Sequence, residues 1–296
     1  MTDPYRVKLF GYPLGHSVSP DMHQSAAEAL GIRIEYTAQE VTAEQLPRAV
    51  EALRDPDFLG ANVTLPHKPA MLALLDDVSP LARRIGAVNT VYKAGGLLVG
   101  DNTDAAAVVR CLKAGLAFSP PDDRVLLLGA GGAARGVAVG LLDAGAQRIA
   151  IWNRTERRAR LLVEDLVRST PSAKTALSVV TDLVAALERC TLLVNATSVG
   201  LDDRSVPVSL TTLGSDVRVF DLVYGTATTP LVREARSRGL QAEDGLWMLV
   251  HQAAAAFTLW TGVAPPEDVM HAAALRAVRR RHDPLERTDG APERRW

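Results

Sequence analysis

The stretch "RVLLLGAGGAARGVAVGLLDAGAQRIAIWNR", residues 124–154, decides the fold. Val125 to Leu128 form an apolar run that reads as a buried strand. Gly129-Ala130-Gly131-Gly132-Ala133-Ala134 follows and matches G-x-G-x-x-[GA]. Small and apolar residues then read as a helix, with Gly145 as its cap and "RIAIW" as the next strand. In that order, strand, glycine turn and helix present free backbone N–H groups and a positive helix end to an anion. The glycines let the chain turn sharply and let a pyrophosphate approach. Many tight turns carry similar glycines, and here it is the strand before and the helix after that point to a dinucleotide site.

The end of the second strand bears on which dinucleotide. Units that bind NAD usually place a carboxylate there to hold the ribose 2′-OH. This chain has Asn153-Arg154-Thr155, followed by Arg158 and Arg160. A guanidinium there pairs with a 2′-phosphate, which favours NADP. Glu156 could compete for one of these arginines. A solvated basic helix start is the plainer reading of the same residues.

Outward from this unit, strand-like and helix-like runs alternate, the pattern of an α/β protein. Before it come strands over 5–11, 33–41 and 58–65, helices over 19–31 and 43–55, and a hairpin within 87–104 that turns at Gly95-Gly96. A connecting helix near 105–118 leads through the loop "SPPDD" (119–123) into the glycine unit. Beyond it lie strands within 191–198 and 217–224 and helices over 246–260 and 266–280. The charged, Pro/Gly-punctuated end is expected to be disordered.

Bulk properties narrow the function. A chain of 296 residues that is 47% hydrophobic can bury a large core in one or two domains. Lys+Arg 33 against Asp+Glu 34 leaves a net charge of -1, with no basic field for a nucleic acid. Cys111 and Cys190 are far apart and form no CxxC pair, which fits a reducing compartment and argues against a disulfide scaffold or zinc site. No apolar run reaches the ~18–20 residues that span a bilayer, and the start lacks a signal-peptide pattern. The expectation is a cytoplasmic protein that acts on a small molecule, without nucleic-acid or membrane partners and without a metal. The sequence leaves room for a homodimer.

Three further stretches carry candidate chemistry. In "ANVTLPHKPA" (61–70), Asn62 and Thr64 lie two apart, so on a strand both leave one face. Pro66 stops that strand and Pro69 suits the first turn of a helix, which puts Lys68 near a helix N-terminus. The helix dipole there disfavours an ammonium. A surface lysine beside a turn is the commoner case. "VGDNTD" (99–104) ends an apolar strand in Asp101 and Asp104 just before the nucleotide unit, where a carboxylate could face a substrate or simply close a turn. In "GHSVSPDMH" (15–23), Ser19 before Pro20 reads as a helix N-cap. Ser17 has no such structural explanation. Both hydroxyls would suit a carboxylate ligand.

Together these pieces resemble the shikimate dehydrogenase family. The matching motifs are "GYPLGHSVSPDMHQ", "GANVTLPHK", "GAVNT", "GDNTD", "LLLGAGGAARG", "NRTERRA", "LVNATSVG", "DLVYGTATTPL" and "DGLWMLVHQAAAAFTLWTG", in order over roughly residues 8–265. The resemblance implies a Rossmann-like NADP-binding domain, 105–243, set into a discontinuous α/β substrate-binding and catalytic domain, 1–104 and 244–283, with a disordered tail over 284–296. It implies reversible NADPH-dependent reduction of 3-dehydroshikimate to shikimate, a step in chorismate and aromatic amino acid biosynthesis. By the same resemblance Lys68 and Asp104 form the catalytic pair. Ser17 and Ser19 hold the substrate carboxylate, Asn62, Thr64 and Asn89 hold ring hydroxyls, and Tyr224 and Gln252 line the site. The cofactor would touch Gly129, Ala130, Gly131, Gly132, Ala133, Asn153, Arg154, Thr155, Arg158, Thr197, Leu222 and Gly245.

Three positions depart from the family pattern: Ala105 and Trp247, where glycine is usual, and His67. Trp247 falls close to the expected nicotinamide, where it would either narrow the pocket or point away. Two other readings stand beside the main one. A quinate/shikimate dehydrogenase using NAD would differ near the serines and at the end of the second cofactor strand. A nucleotide-binding sensor without catalysis would not need both Lys68 and Asp104.

Overall fold

The computed structural model describes residues 3–14, 17–225 and 228–280. The tail expected to be disordered lies outside these residues. The first sheet contains β1 (Tyr5–Gly11), β2 (Ile34–Glu40), β3 (Phe58–Val63), β4 (Asp77–Val78), β5 (Thr90–Ala94) and β6 (Leu97–Asp101). Its order is β2-β1-β3-β5-β6-β4, with β5 and β6 forming the antiparallel hairpin through Gly95 and Gly96. Between these strands run α1 (Ser19–Leu30), α2 (Leu46–Ala52) and α3 (Pro80–Ile85).

After α4 (Asp104–Leu116) the second sheet begins. It holds β7 (Val125–Leu128), β8 (Ile149–Trp152), β9 (Leu177–Val179), β10 (Leu192–Asn195), β11 (Arg218–Asp221) and β12 (Ala242–Glu243). Every pairing is parallel and the order is β12-β11-β10-β7-β8-β9, the doubly wound arrangement. α5 (Gly132–Asp143), α6 (Glu156–Ser169), α7 (Leu183–Arg189) and α8 (Pro230–Ser237) connect its strands. β7 and β10 are buried at all four positions. Burial of every side chain is why Val125–Leu128 and Leu192–Val194 read as unbroken apolar runs, with the buried Asn195 closing the second. The strand order reverses between β7 and β10, so a crevice opens at their carboxyl ends.

The chain then returns to the first sheet. α9 (Leu246–Thr261) and α10 (Glu267–Arg280) close the sequence of elements. One core joins Val7 and Leu9 of β1, Met22 and Ala26 of α1, Val250 and Phe257 of α9, and Met270 of α10. The indole Nε1 of Trp260 donates to the Val91 carbonyl of β5 at 2.8 Å, tying α9 to the sheet.

α4 is the crossing point, and a glycine sets how closely it packs. A Cβ added at Gly140 of α5 would lie 2.4 Å from the backbone oxygen of Ala105, so the two helix backbones touch. Ala105 is itself buried. The first turn of α4, which carries Asp104, is thereby seated on the nucleotide helix.

Several elements differ from expectation. The strand predicted over 58–65 stops at Val63. The helix expected after Pro69 is one 3-10 turn, Ala70–Ala73. The sequence pattern also misses β4, β9 and β12, of two to three residues each, which are too short to show a period. The cysteines are free and buried. Burial pushes their thiols up to about 12 at Cys111 and about 11 at Cys190, which makes poor nucleophiles of both. No helix among the described residues is long and apolar enough to cross a membrane, and these residues contain no cluster of metal-ligating side chains.

Candidate active site

Lys68 sits in a corner fixed from two sides. The buried His67 ring donates from Nε2 to the Val41 carbonyl at 2.6 Å, which accounts for a histidine there. The Lys68 carbonyl accepts from the Val88 N–H at 2.9 Å, just ahead of β5. From this anchored backbone the ammonium reaches Asp104, with Nζ to Oδ2 at 2.6 Å. The two side chains are 17% and 10% exposed, so the pair is screened weakly yet remains reachable. The expected helix dipole at Lys68 is absent because a single 3-10 turn sums too few peptide dipoles. The charge facing the ammonium is a carboxylate instead.

Asn89 holds the other side of that carboxylate. Its Nδ2 donates to Asp104 Oδ1 at 2.8 Å and to Thr103 Oγ1 at 2.9 Å, while its Oδ1 accepts from the Thr103 N–H at 2.9 Å. Asn62, at the end of β3, accepts from the Tyr36 hydroxyl at 2.9 Å. Thr64 falls one residue past the strand, half-buried, its N–H bonded to the Phe10 carbonyl at 2.8 Å. Tyr36, Thr90 and Thr103 belong to this cluster although the sequence does not single them out. As polar residues in or beside strands they read as ordinary β positions, and only their burial separates them.

The serines exchange the roles expected of them. α1 begins at Ser19, and its N-cap is Val18, with no side-chain cap bond. Ser17 Oγ accepts the Ser19 N–H at 3.2 Å, so Ser17 carries the local turn bond. Ser19 is buried, and its hydroxyl opposes the upward push that burial gives the Tyr36 phenol. The sequence points to a cap at Ser19 because Pro20 usually follows a cap directly. Here the helix takes one more residue at its start.

Tyr224 leaves the second sheet after β11 and packs on the core shared by α1 and α9. Gln252, on α9, is half-buried, its Nε2 donating to the Leu249 carbonyl at 2.8 Å. Trp247 stacks on His271 of α10, with centroids 4.1 Å apart and planes at 9°. That contact, along the α9–α10 face, answers where the ring points.

The glycine turn has the shape a dinucleotide needs. Gly129 has φ +111°, and a Cβ there would lie 2.9 Å from the Ala196 oxygen, so no side chain fits. Around Gly131 and Gly132 an added Cβ meets nothing within 4 Å, which leaves the face of the turn from Ala130 to Ala133 open. α5 has no side-chain cap, so its first N–H groups face that opening. Thr197 lies beside Gly129, its Oγ1 bonded to Asn195 Oδ1 at 2.7 Å. Leu222 donates its N–H to the Asn195 carbonyl at 2.9 Å. Gly245 caps α9, where a Cβ would collide with the Leu222 oxygen at 2.1 Å.

At the end of β8, Asn153 Nδ2 bonds the Thr155 carbonyl at 2.9 Å, and Thr155 is the N-cap of α6 without a side-chain bond. Glu156 is taken by Arg160, at 2.7 Å from Nε. It therefore leaves Arg154 and Arg158, both exposed, to an incoming anion. The two half-sites meet at α4. A Cβ added at Gly136, one turn into α5, would lie 3.5 Å from the Asp104 Cβ. The carboxylate that pairs with Lys68 is thus in contact range of the nucleotide helix.

Comparison with known proteins agrees along the chain. Residues 9–91 match the model of the shikimate dehydrogenase substrate binding domain, 115–201 that of shikimate / quinate 5-dehydrogenase, and 245–275 that of the shikimate 5'-dehydrogenase C-terminal domain. A shikimate dehydrogenase (NADP(+)) of Thermus thermophilus is 44% identical over 275 residues, covering 92% of this chain and 98% of that one. The crystal structure of shikimate 5-dehydrogenase from Thermus thermophilus with NADP(H) and shikimate has a TM-score of 0.83 at 42% identity, covering 92% of this chain and 99% of that chain. Quinate dehydrogenase from Corynebacterium glutamicum with NAD reaches a TM-score of 0.85 at 31% identity, covering 93% and 100%.

Proposed function

The chain belongs to the shikimate dehydrogenase family, and from that premise we propose that Lys68 and Asp104 are the pair through which it works. It is an NADP-dependent oxidoreductase that reduces 3-dehydroshikimate to shikimate, reversibly. The observation that supports these residues is the 2.6 Å Lys68–Asp104 contact seated against the nucleotide helix. NADPH, when bound, supplies the hydride. Lys68 carries three N–H donors, of which Asp104 takes one among the described residues. The others are free to stabilise the oxygen of a reacting ketone and to give it a proton, and in reverse the amine accepts that proton. Asp104, held by Asn89 on its far oxygen, orients the amine. The unit of residues 1–104 and 244–283 holds the substrate in this reading, and 105–243 holds the cofactor. We place the reaction in the cytoplasm.

The test is initial-rate oxidation of shikimate and of quinate, each with NADP+ and with NAD+. Shikimate with NADP+ is expected to give the highest kcat/KM. If quinate with NAD+ does so instead, the substrate and cofactor assignments both fail.

Ser17 and Ser19 are placed on the substrate carboxylate in this proposal. A hydrogen bond to a charged group contributes about 1.5–3 kcal/mol, so each alanine variant should raise the KM for shikimate roughly 10–150-fold. Ser17→Ala should also lower stability by about 1 kcal/mol, since its Oγ carries the turn bond to the Ser19 N–H. Thermal melting beside shikimate saturation curves checks both effects. An unchanged KM in both variants removes the carboxylate role.

A further inference from the structure

Five hydrogen bonds join Tyr36 to Lys68 without a break. The Tyr36 hydroxyl donates to Asn62 Oδ1 at 2.9 Å, Asn62 Nδ2 to Thr90 Oγ1 at 3.2 Å, and Thr90 Oγ1 to Asn89 Oδ1 at 3.0 Å. Asn89 Nδ2 then donates to Asp104 Oδ1 at 2.8 Å, and Asp104 Oδ2 receives Lys68 at 2.6 Å. Two backbone groups fix the sense of every bond. The Asn89 carbonyl can only accept, and it takes Asn62 Nδ2 at 3.2 Å, which turns Asn62 Oδ1 toward Tyr36. The Thr103 N–H can only donate, and it meets Asn89 Oδ1 at 2.9 Å, which turns Asn89 Nδ2 toward Asp104. Thr90 must therefore accept from Asn62 and donate to Asn89. Burial pushes the Tyr36 phenol far above its ordinary value, with the Ser19 hydroxyl opposing, so the first donor stays protonated. All donors point toward the carboxylate, an arrangement in which each bond polarises the next.

Among the described residues, Thr90 is the side chain that links the amide proposed to face the substrate ring with the amide that grips the catalytic carboxylate. It is fully buried and touches neither the amine nor the nucleotide turn by hydrogen bond. We propose that Thr90 is a positioning residue for the reaction, its hydroxyl locking Asn62 and Asn89 in register so that substrate binding and the orientation of Asp104 are set together. This rests on the Lys68–Asp104 reading.

The test compares Thr90→Val, Thr90→Ala and Thr90→Ser in the full chain. Each is assayed for kcat, the KM for shikimate and the dissociation constant for NADP+, beside Lys68→Ala. Thr90→Val keeps the shape and removes the hydroxyl. It should lower kcat about tenfold, the scale of one lost hydrogen bond in orienting the pair, and leave NADP+ affinity within about twofold. Thr90→Ser restores the hydroxyl and should bring kcat back to within about threefold of the parent. If Thr90→Val does not fold, the Thr90→Ala and Thr90→Ser pair decides the same question. Full kcat in the variants without the hydroxyl, or equal damage in Thr90→Ser, overturns the inference. An active Lys68→Ala would overturn the pair itself and this inference with it. An inactive Lys68→Ala beside a fully active Thr90→Val would sink the Thr90 role alone.

Discussion

Lys68→Ala is expected to lower kcat about 10²–10⁴-fold, the usual contribution of a positioned general acid–base group. The KM for shikimate and the affinity for NADP+ should move far less, because in the proposed role the ammonium acts on charge that develops only as the ketone is reduced. The geometry makes this sharper than a generic active-site substitution. Asp104 would lose the cation at 2.6 Å while keeping the Asn89 bond at 2.8 Å, so the carboxylate stays in place without its partner. Breaking a partly buried pair also costs stability, up to about 3 kcal/mol. Thermal melting must therefore accompany the assay, and NADP+ binding confirms that the nucleotide half is intact. Near-normal turnover in a folded, cofactor-binding Lys68→Ala protein would remove Lys68 from the chemistry.

The parts of this site differ in how far sequence reveals them, and contact order explains the difference. The glycine unit is local: strand, turn and helix are consecutive, and each residue's role follows from its neighbours. Lys68 and Asp104 are 36 residues apart, and their contact depends on β3, the hairpin and α4 stacking in register. No spacing rule joins them, and the resemblance to a family supplies the link. Tyr36 and Thr90 escape both routes. A tyrosine or threonine in a strand is ordinary, and its hydrogen-bond duty appears only when the facing strands are known. Ser17 and Ser19 show a finer limit. Both stand out in the sequence, yet which one bonds the helix start turns on a one-residue shift in where α1 begins, and boundaries of that kind are the least legible feature of a sequence. Ala105 is legible only as a departure. What the sequence hides is its neighbour Gly140, far along the chain, where the backbones of α4 and α5 touch.

Arg154→Ala should weaken NADP+ more than NAD+, since only NADP+ carries the 2′-phosphate that a guanidinium can pair with. The structure strengthens the case made from sequence in one respect. Glu156, the obvious competitor, bonds Arg160 one turn along α6, which leaves Arg154 at the end of β8 without that rival. The uncapped start of α6 adds free N–H groups beside it. Arg154 is exposed, so solvent screens the pair and a single substitution should fall near the low end of the roughly 1.5–3 kcal/mol scale for charged hydrogen bonds. That is roughly a tenfold rise in the KM for NADP+. Removing Arg158 as well should deepen the loss toward the upper end, roughly 150-fold, if both guanidiniums share the phosphate. Saturation curves for NADP+ and NAD+ in each variant measure this, repeated at low and high salt. The parent's KM for NADP+ should rise with salt more steeply than that of the double variant, because the screened charges are then gone. Equal losses for both cofactors would mean that these arginines shape the strand end without reading the phosphate.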